Sequence, residues 1–209
     1  MRCVLVAAFL ALGGCALTAE KIDVAYQPAS GVAPIEGAGN VQVALQVNDV
    51  RTERDRVSSK TNGYGQKMGA ISLNQDLTEL VKDALEAELD VRGYSLAGNG
   101  IQLVCDIVDF NNEFRSGFWS GTAVGNVRFN VKIRSSEGNI IYTEMITGDG
   151  QEEGIQLASG KNAAPALERA LQAAVAALMA RSDFHAALAK AGGAAGGQPP
   201  PMPQTPGSE

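Results

Sequence analysis

Few side chains in this chain of 209 residues have the types and spacing that chemistry needs. Cys15 stands behind one positive charge at Arg2, an apolar stretch from Cys3 to Leu12 and the small pair Gly13-Gly14. A charged start, a short apolar run and small residues before a cut site describe a secretory signal peptide over residues 1–14. Cys3 leaves with that segment and Cys15, beside the cut, would be lipidated, so Cys105 keeps no partner within the chain and no disulfide framework is expected. Cys105 shares the parity of Ile101, Leu103 and Ile107, which makes it a small hydrophobe on the buried side of a strand.

The remaining reactive groups form no constellation in the sequence. No Cys/His cluster has metal-ligand spacing, so neither a metal nor another cofactor is expected. His185, the single histidine, lies beside Phe184 with no nucleophile signature near it and reads as a boundary residue. Asp106, Asp109, Glu113, Glu144, Asp149, Glu152 and Glu153 supply carboxylates, but acid–base work needs two of them held across a cleft in different environments. Asn62-Gly63-Tyr64-Gly65-Gln66-Lys67-Met68-Gly69 lacks the third glycine of a dinucleotide loop and the Gly-Lys-Ser/Thr of a phosphate loop, so it reads as a turn. Arg51 to Arg56 sets three arginines against two acids, either a solvated loop or an anion-binding patch. The chain is therefore not expected to be an enzyme.

Leu12-Gly13-Gly14-Cys15 resembles the bacterial lipobox, in which the cysteine is acylated and becomes the new N-terminus. The resemblance implies a permanent anchor, since several acyl chains hold a protein where a single chain binds only marginally. Gly14-Cys15-Ala16 also fits ordinary cleavage between small residues, which would release the chain. Ala16 in place of an aspartate favours the outer over the inner membrane under the sorting rule of enteric bacteria. The apolar stretch is about half the roughly 20 residues that a membrane-spanning helix needs.

The elements around these residues follow from periodicity. Asn40 to Val50 alternates, with Val41, Val43, Leu45 and Val47 on one face. Asn74 offers a cap for a helix whose stripe runs Leu77, Leu80, Val81, Ala84, Leu85 and Leu89, closed by Gly93. Strands follow at Ile101–Phe110, Val127–Arg134 and Ile140–Thr147, the last two joined by a turn at Ser135–Asn139. Pro165 suits the first turn of an Ala-rich helix through Leu167, Leu171, Val175 and Leu178, with a short continuation after Ser182-Asp183. Phe118 and Trp119, among glycines between two strands, are candidate partner-binding residues or a lid over one end of the core.

This order predicts an α+β fold, a mainly antiparallel sheet with two helices packed on one face. Residues 40–191 form the single domain. Residues 15–39, with Pro28 and Pro34, read as a lipidated flexible tether, and the Gly/Pro-rich residues 192–209 as a disordered tail. The formal charge of −6 becomes one unit more negative without Arg2, which argues against nucleic acid or anionic lipid as the main partner.

Taken in order, the lipobox, the strand Val41–Val47, the helix start Asn74-Gln-Asp-Leu77, the helix end Val91-Arg-Gly-Tyr94, Gly125-Asn126-Val127-Arg128 and the closing Ala-rich helix resemble the YajG-like envelope lipoproteins of Gram-negative bacteria. The resemblance spans roughly residues 12 to 190 and carries over Cys15 alone, as the acylated residue. It implies a lipid-anchored protein on the periplasmic face of the outer membrane, with no enzymatic activity. The expected function is a binding or adaptor role toward another envelope protein or peptidoglycan. The alternatives are a carrier of lipid or small ligands, and an auxiliary lipoprotein of a transport or peptidoglycan-synthesis complex.

Overall fold

The structure, a computed structural model, describes residues 18–62, 64–117, 119–135 and 137–195. The expected signal peptide, Cys15, Phe118 and the tail from residue 196 lie outside the described residues.

Two sheets form an α+β fold. The larger contains β2 (Gln42–Asp49), β5 (Ser95–Leu96), β6 (Ile101–Arg115), β7 (Gly121–Arg134) and β8 (Ile140–Ile155), in the order β5-β2-β6-β7-β8. The smaller contains β1 (Glu20–Ile22), β3 (Ser58–Thr61) and β4 (Lys67–Leu73), in the order β1-β4-β3. Helices α1 (Leu77–Val91) and α2 (Gly160–Met179) cover one face of the large sheet, and α3 (Ser182–Ala195) continues that layer over β8. The β6-β7-β8 pairings are antiparallel, whereas β2 joins β6 in parallel because α1 carries the chain back between them.

Alternation decides the core. Leu103, Cys105 and Ile107 of β6 and Val127, Phe129, Val131 and Ile133 of β7 are fully buried against the helices. A shift in pairing between Ile107 and Asp109 changes the parity, so that Phe110 rather than Asp109 points inward. On α1 the buried stripe is Leu77, Val81, Ala84, Leu85, Glu88 and Leu89, at helical spacing. Each fully buried Leu or Val contributes roughly 2 kcal/mol of transfer free energy.

Helix α2 lies directly on the sheet because the contact is made of the smallest residues. A Cβ on Gly148 would stand 2.2 Å from Ala174 N, and one on Gly150 would stand 2.2 Å from Ala166 O. Gly125 approaches the same Ala166 carbonyl from β7. Ala166, Ala170 and Ala174 form the matching stripe on the helix, each fully buried.

The structure corrects several expectations. Residues from Glu20 to Gly39, expected to be a flexible tether, are packed on the domain. Glu20–Ile22 pair with Ile71–Leu73, Val24 and Ala38 are buried, and Ile35 N donates to Arg92 O at 2.9 Å. Their partners are distant in sequence, which is why local composition suggested a linker. Asp76 rather than Asn74 caps α1, accepting from Thr78 N at 2.7 Å and Glu79 N at 3.2 Å. Pro165 lies inside α2, which begins at Gly160, and α3 is a third helix of 14 residues rather than a short continuation. Its end takes in residues 192–195, expected to belong to the tail. The turn at Asn62–Gln66 joins β3 to β4, with Asn62 Oδ1 accepting from Tyr64 N and Gln66 N, both at 3.0 Å.

Candidate functional site

The β2 strand is paired unequally on its two sides. Along β6 the ladder runs from Val43 to Asp49, but β5 pairs only with Gln42 and Val43. Beyond Val43, among the described residues, β2 has a ladder on its β6 side alone. Beside this edge opens a groove of about 990 Å³. Gln42, Leu45 and Gln46 of β2 line it, with Lys82 and Glu86 from the wet side of α1 and Asn99 from the turn before β6. The groove also reaches the β7–β8 turn at Ser135 and Gly138, and Gly192 near the end of α3. It therefore occupies the end of the domain where β6 begins and β7 ends.

Four of the seven candidate acid–base residues, Asp106, Asp109, Glu144 and Glu152, are ion-paired with cations rather than with each other. Asp106 accepts from Lys132 Nζ at 2.7 Å and Asn48 Nδ2 at 2.8 Å. Burial works to raise the Asp106 pKa, but those hydrogen bonds outweigh it and hold the carboxyl below its usual range. Asp109 pairs with Arg128, Glu144 with Arg181 and Glu152 with Arg169. The Asp106 and Asp109 pairs neutralise charge across strands β6 and β7, and the Glu144 and Glu152 pairs join β8 to the helical layer.

His185 is a structural linker. Its Nε2 faces Met179 O at 2.9 Å and its Nδ1 faces Tyr94 Oη at 2.9 Å. A carbonyl can only accept, so Nε2 carries the proton and Nδ1 accepts from the tyrosine. The ring also stacks on Tyr94, with centroids 5.9 Å apart, and so joins the segment after α1 to α3. Cys105 is fully buried, and burial, with Asp106 nearby, pushes its thiol up and away from reactivity.

The arginine loop is partly internal. Arg51 is buried, binds Asp49 through Nε at 3.0 Å and Nη2 at 2.9 Å, and donates to Arg56 O and Phe110 O. Arg56 pairs with Glu53 at 3.0 Å. Arg51 thus fastens the loop rather than presenting a free anion site. A smaller pocket of about 410 Å³ lies between this loop, β3 and the end of β6.

Sequence reasoning missed Glu88. Only 2 % exposed, it accepts from Tyr26 Oη and Ala29 N, each at 2.7 Å, and pairs with Arg92. Its position on the apolar stripe of α1 was the available signal. It fastens the segment before β2 to the helix. At the opposite end from the groove, Trp119 follows the end of β6 and is 86 % exposed, so it does not lie over the core as a lid.

A one-sided helical layer on a long-stranded sheet, with an open groove at the sheet edge, defines a small α+β domain. The chain belongs to the Lipoprotein_16 family of uncharacterized lipoproteins, whose model matches residues 29–189. The resemblance to YajG-like lipoproteins is borne out by that match. A crystal structure of a Xanthomonas campestris protein of the family DUF330 is 14 % identical, and the alignment covers 81 % of this chain and 98 % of that one. Its TM-score of 0.51 shows a shared fold. The minor lipoprotein of Acinetobacter baumannii is a looser likeness, with 10 % identity, coverage of 54 % of this chain and 65 % of that one, and a TM-score of 0.33. A comparison with curated proteins by sequence finds no match. Among the described residues, no helix is long and apolar enough to cross a membrane.

Proposed function

We propose that Cys15 carries lipid and holds the chain on the periplasmic face of the outer membrane. The domain acts there as a non-enzymatic adaptor whose groove takes an extended segment of an envelope partner. The observation that carries the binding role is the β2 edge left open beyond Val43 beside the groove. An added strand gains main-chain hydrogen bonds from such an edge, and the flanking side chains select its sequence. Lys82 and Glu86 offer both signs of charge along one wall, with Gln42, Gln46 and Asn99 as amide partners. An auxiliary role in a transport or peptidoglycan-synthesis complex is a narrower form of the same reading.

The carrier reading has weaker support. It needs a cavity of several hundred Å³ between helices and sheet. The contact of α2 with Gly125, Gly148 and Gly150 leaves no such space beneath that helix.

A photo-crosslinking side chain at Gln46 of the full chain, in intact envelopes, tests the adaptor reading. The expected result is capture of a defined partner at Gln46 and not at Asp90, a solvated position on α1. Equal capture at both positions overturns it.

A further inference from the structure

The described chain begins very close to the proposed anchor. Thr18 is three residues beyond Cys15, and a fully extended chain spans at most about 3.6 Å per residue. Thr18 therefore lies within about 11 Å of the acylated residue, a distance comparable with the headgroup layer of a bilayer. From Glu20 onward the chain is fixed to the domain. Glu20 pairs with Ile71, its carboxylate binds Lys60 Nζ at 2.6 Å, and it accepts from Gly160 N at 2.6 Å. The domain is therefore held within a short reach of the proposed anchor.

The end of the domain around Thr18 has a distinct surface. Lys60 Nζ donates to Thr18 Oγ1 at 3.4 Å, and β3 continues from Lys60 into the turn that carries Tyr64. Residues of this hairpin, Thr61, Gly65 and Lys67, share the smaller pocket with Glu113 and Phe114 of β6. Beyond Phe114 the β6–β7 turn carries Trp119, and Gly121 pairs with Ile155 at the end of β8. Leu157 follows, with its carbonyl bound by Asn162 Nδ2 at 2.8 Å in the first turn of α2. Tyr64, Trp119 and Leu157 are 92 %, 86 % and 73 % exposed, the three most exposed large apolar side chains among the described residues. All three lie at the Thr18 end.

We infer that this end, with Tyr64, Trp119 and Leu157, is a membrane-contact surface that rests in the headgroup layer of a lipid bilayer. The inference rests on the reading that Cys15 is acylated. Tyrosine and tryptophan favour that layer because each has an apolar ring and a polar tip. Lys67, Arg115 and Lys161 are exposed at the same end and meet lipid phosphates; Glu113 and Glu153 are exposed there too, Glu153 level with Arg115 across Thr122. The opposite end, with the groove, then faces away from the membrane.

Trp119 is the single tryptophan of the sequence, so fluorescence reads this surface directly. The full acylated chain is reconstituted into phosphatidylethanolamine–phosphatidylglycerol vesicles that contain a lipid spin-labelled near the headgroup. A second chain carries Trp119→Phe and Leu96→Trp, which moves the fluorophore to the groove end. The expected result is at least twofold quenching of Trp119 and little quenching of the tryptophan at position 96. Equal quenching of the two, in chains that mass spectrometry shows to be acylated and bound to vesicles, overturns the membrane-contact surface and leaves the anchor standing. A chain purified from envelopes without acyl mass on Cys15 overturns the anchor, and the surface with it.

Discussion

The Glu20 carboxylate accepts a hydrogen bond from Gly160 N at 2.6 Å, although the two residues are 140 positions apart. Ser159, at the usual capping position of α2, makes no side-chain bond to the helix, so Glu20 does that work from β1. The same carboxylate also binds Lys60, and the Lys60 hydrogen bond, followed by that of Gly160, holds its pKa below the usual range. One side chain thus joins the smaller sheet to the helical layer.

Glu20→Ala removes the carboxylate that accepts from Gly160 N. It is expected to destabilise the domain by about 1 kcal/mol, the scale of a lost helix cap. Urea unfolding monitored by circular dichroism checks this. An unchanged midpoint would mean that another group caps α2.

Glu88 makes stability depend on pH. Burial works to raise its pKa, but bonds from Ala29 N, Tyr26 and Arg92 outweigh it and depress the folded value below 4.5. A depressed carboxylate contributes stability that is fully present above the unfolded value and is lost as pH falls through the folded one. The wild-type chain should therefore weaken on acidification below pH 4.5. Glu88→Ala should cost about 3 kcal/mol at pH 7, since it leaves Arg92 and two donors unpaired. Its unfolding midpoint should also depend less steeply on acid pH than that of the wild type.

Gly148→Val tests the contact beneath α2. Its Cβ would meet backbone atoms of Ala170 and Ala174 closer than 2.5 Å, so the helix must move. Overpacking of this kind costs about 3 kcal/mol, and the fold is expected to lose cooperativity. Gly98→Ala, where nothing lies within 4 Å, should stay within about 0.5 kcal/mol of wild type.

Cys105 should resist alkylation in the folded chain. Its burial keeps the thiol protonated and out of reach. At pH 8 the modification rate should track the fraction unfolded as urea is added. Rapid modification without urea would show that β6 opens locally.

Local pattern carried much of this fold. The 3.6-residue stripe of α1 and the alternation in β6 and β7 marked buried faces that the structure confirms, including Cys105. The second half of β8 was not legible, because Gly148 and Gly150 interrupt the apolar alternation just where α2 needs bare backbone beneath it. The ordered segment before β2 was missed for a different reason. Its partners Glu88, Glu168 and Gly160 lie far along the chain, while its prolines and small residues look like linker. The groove left no trace in the sequence at all, since it depends on β5 stopping after two residues.

The long strands have a consequence of scale. β6 has 15 residues, and at about 3.3 Å each it is roughly 50 Å long. With the Thr18 end seated on lipid, that length becomes an elevation. On the proposed seating the sheet is a rigid post with its foot in the bilayer and the groove near its top. A partner need not approach the membrane to be held, and a binding segment that hugs the lipid surface would pass beneath the groove.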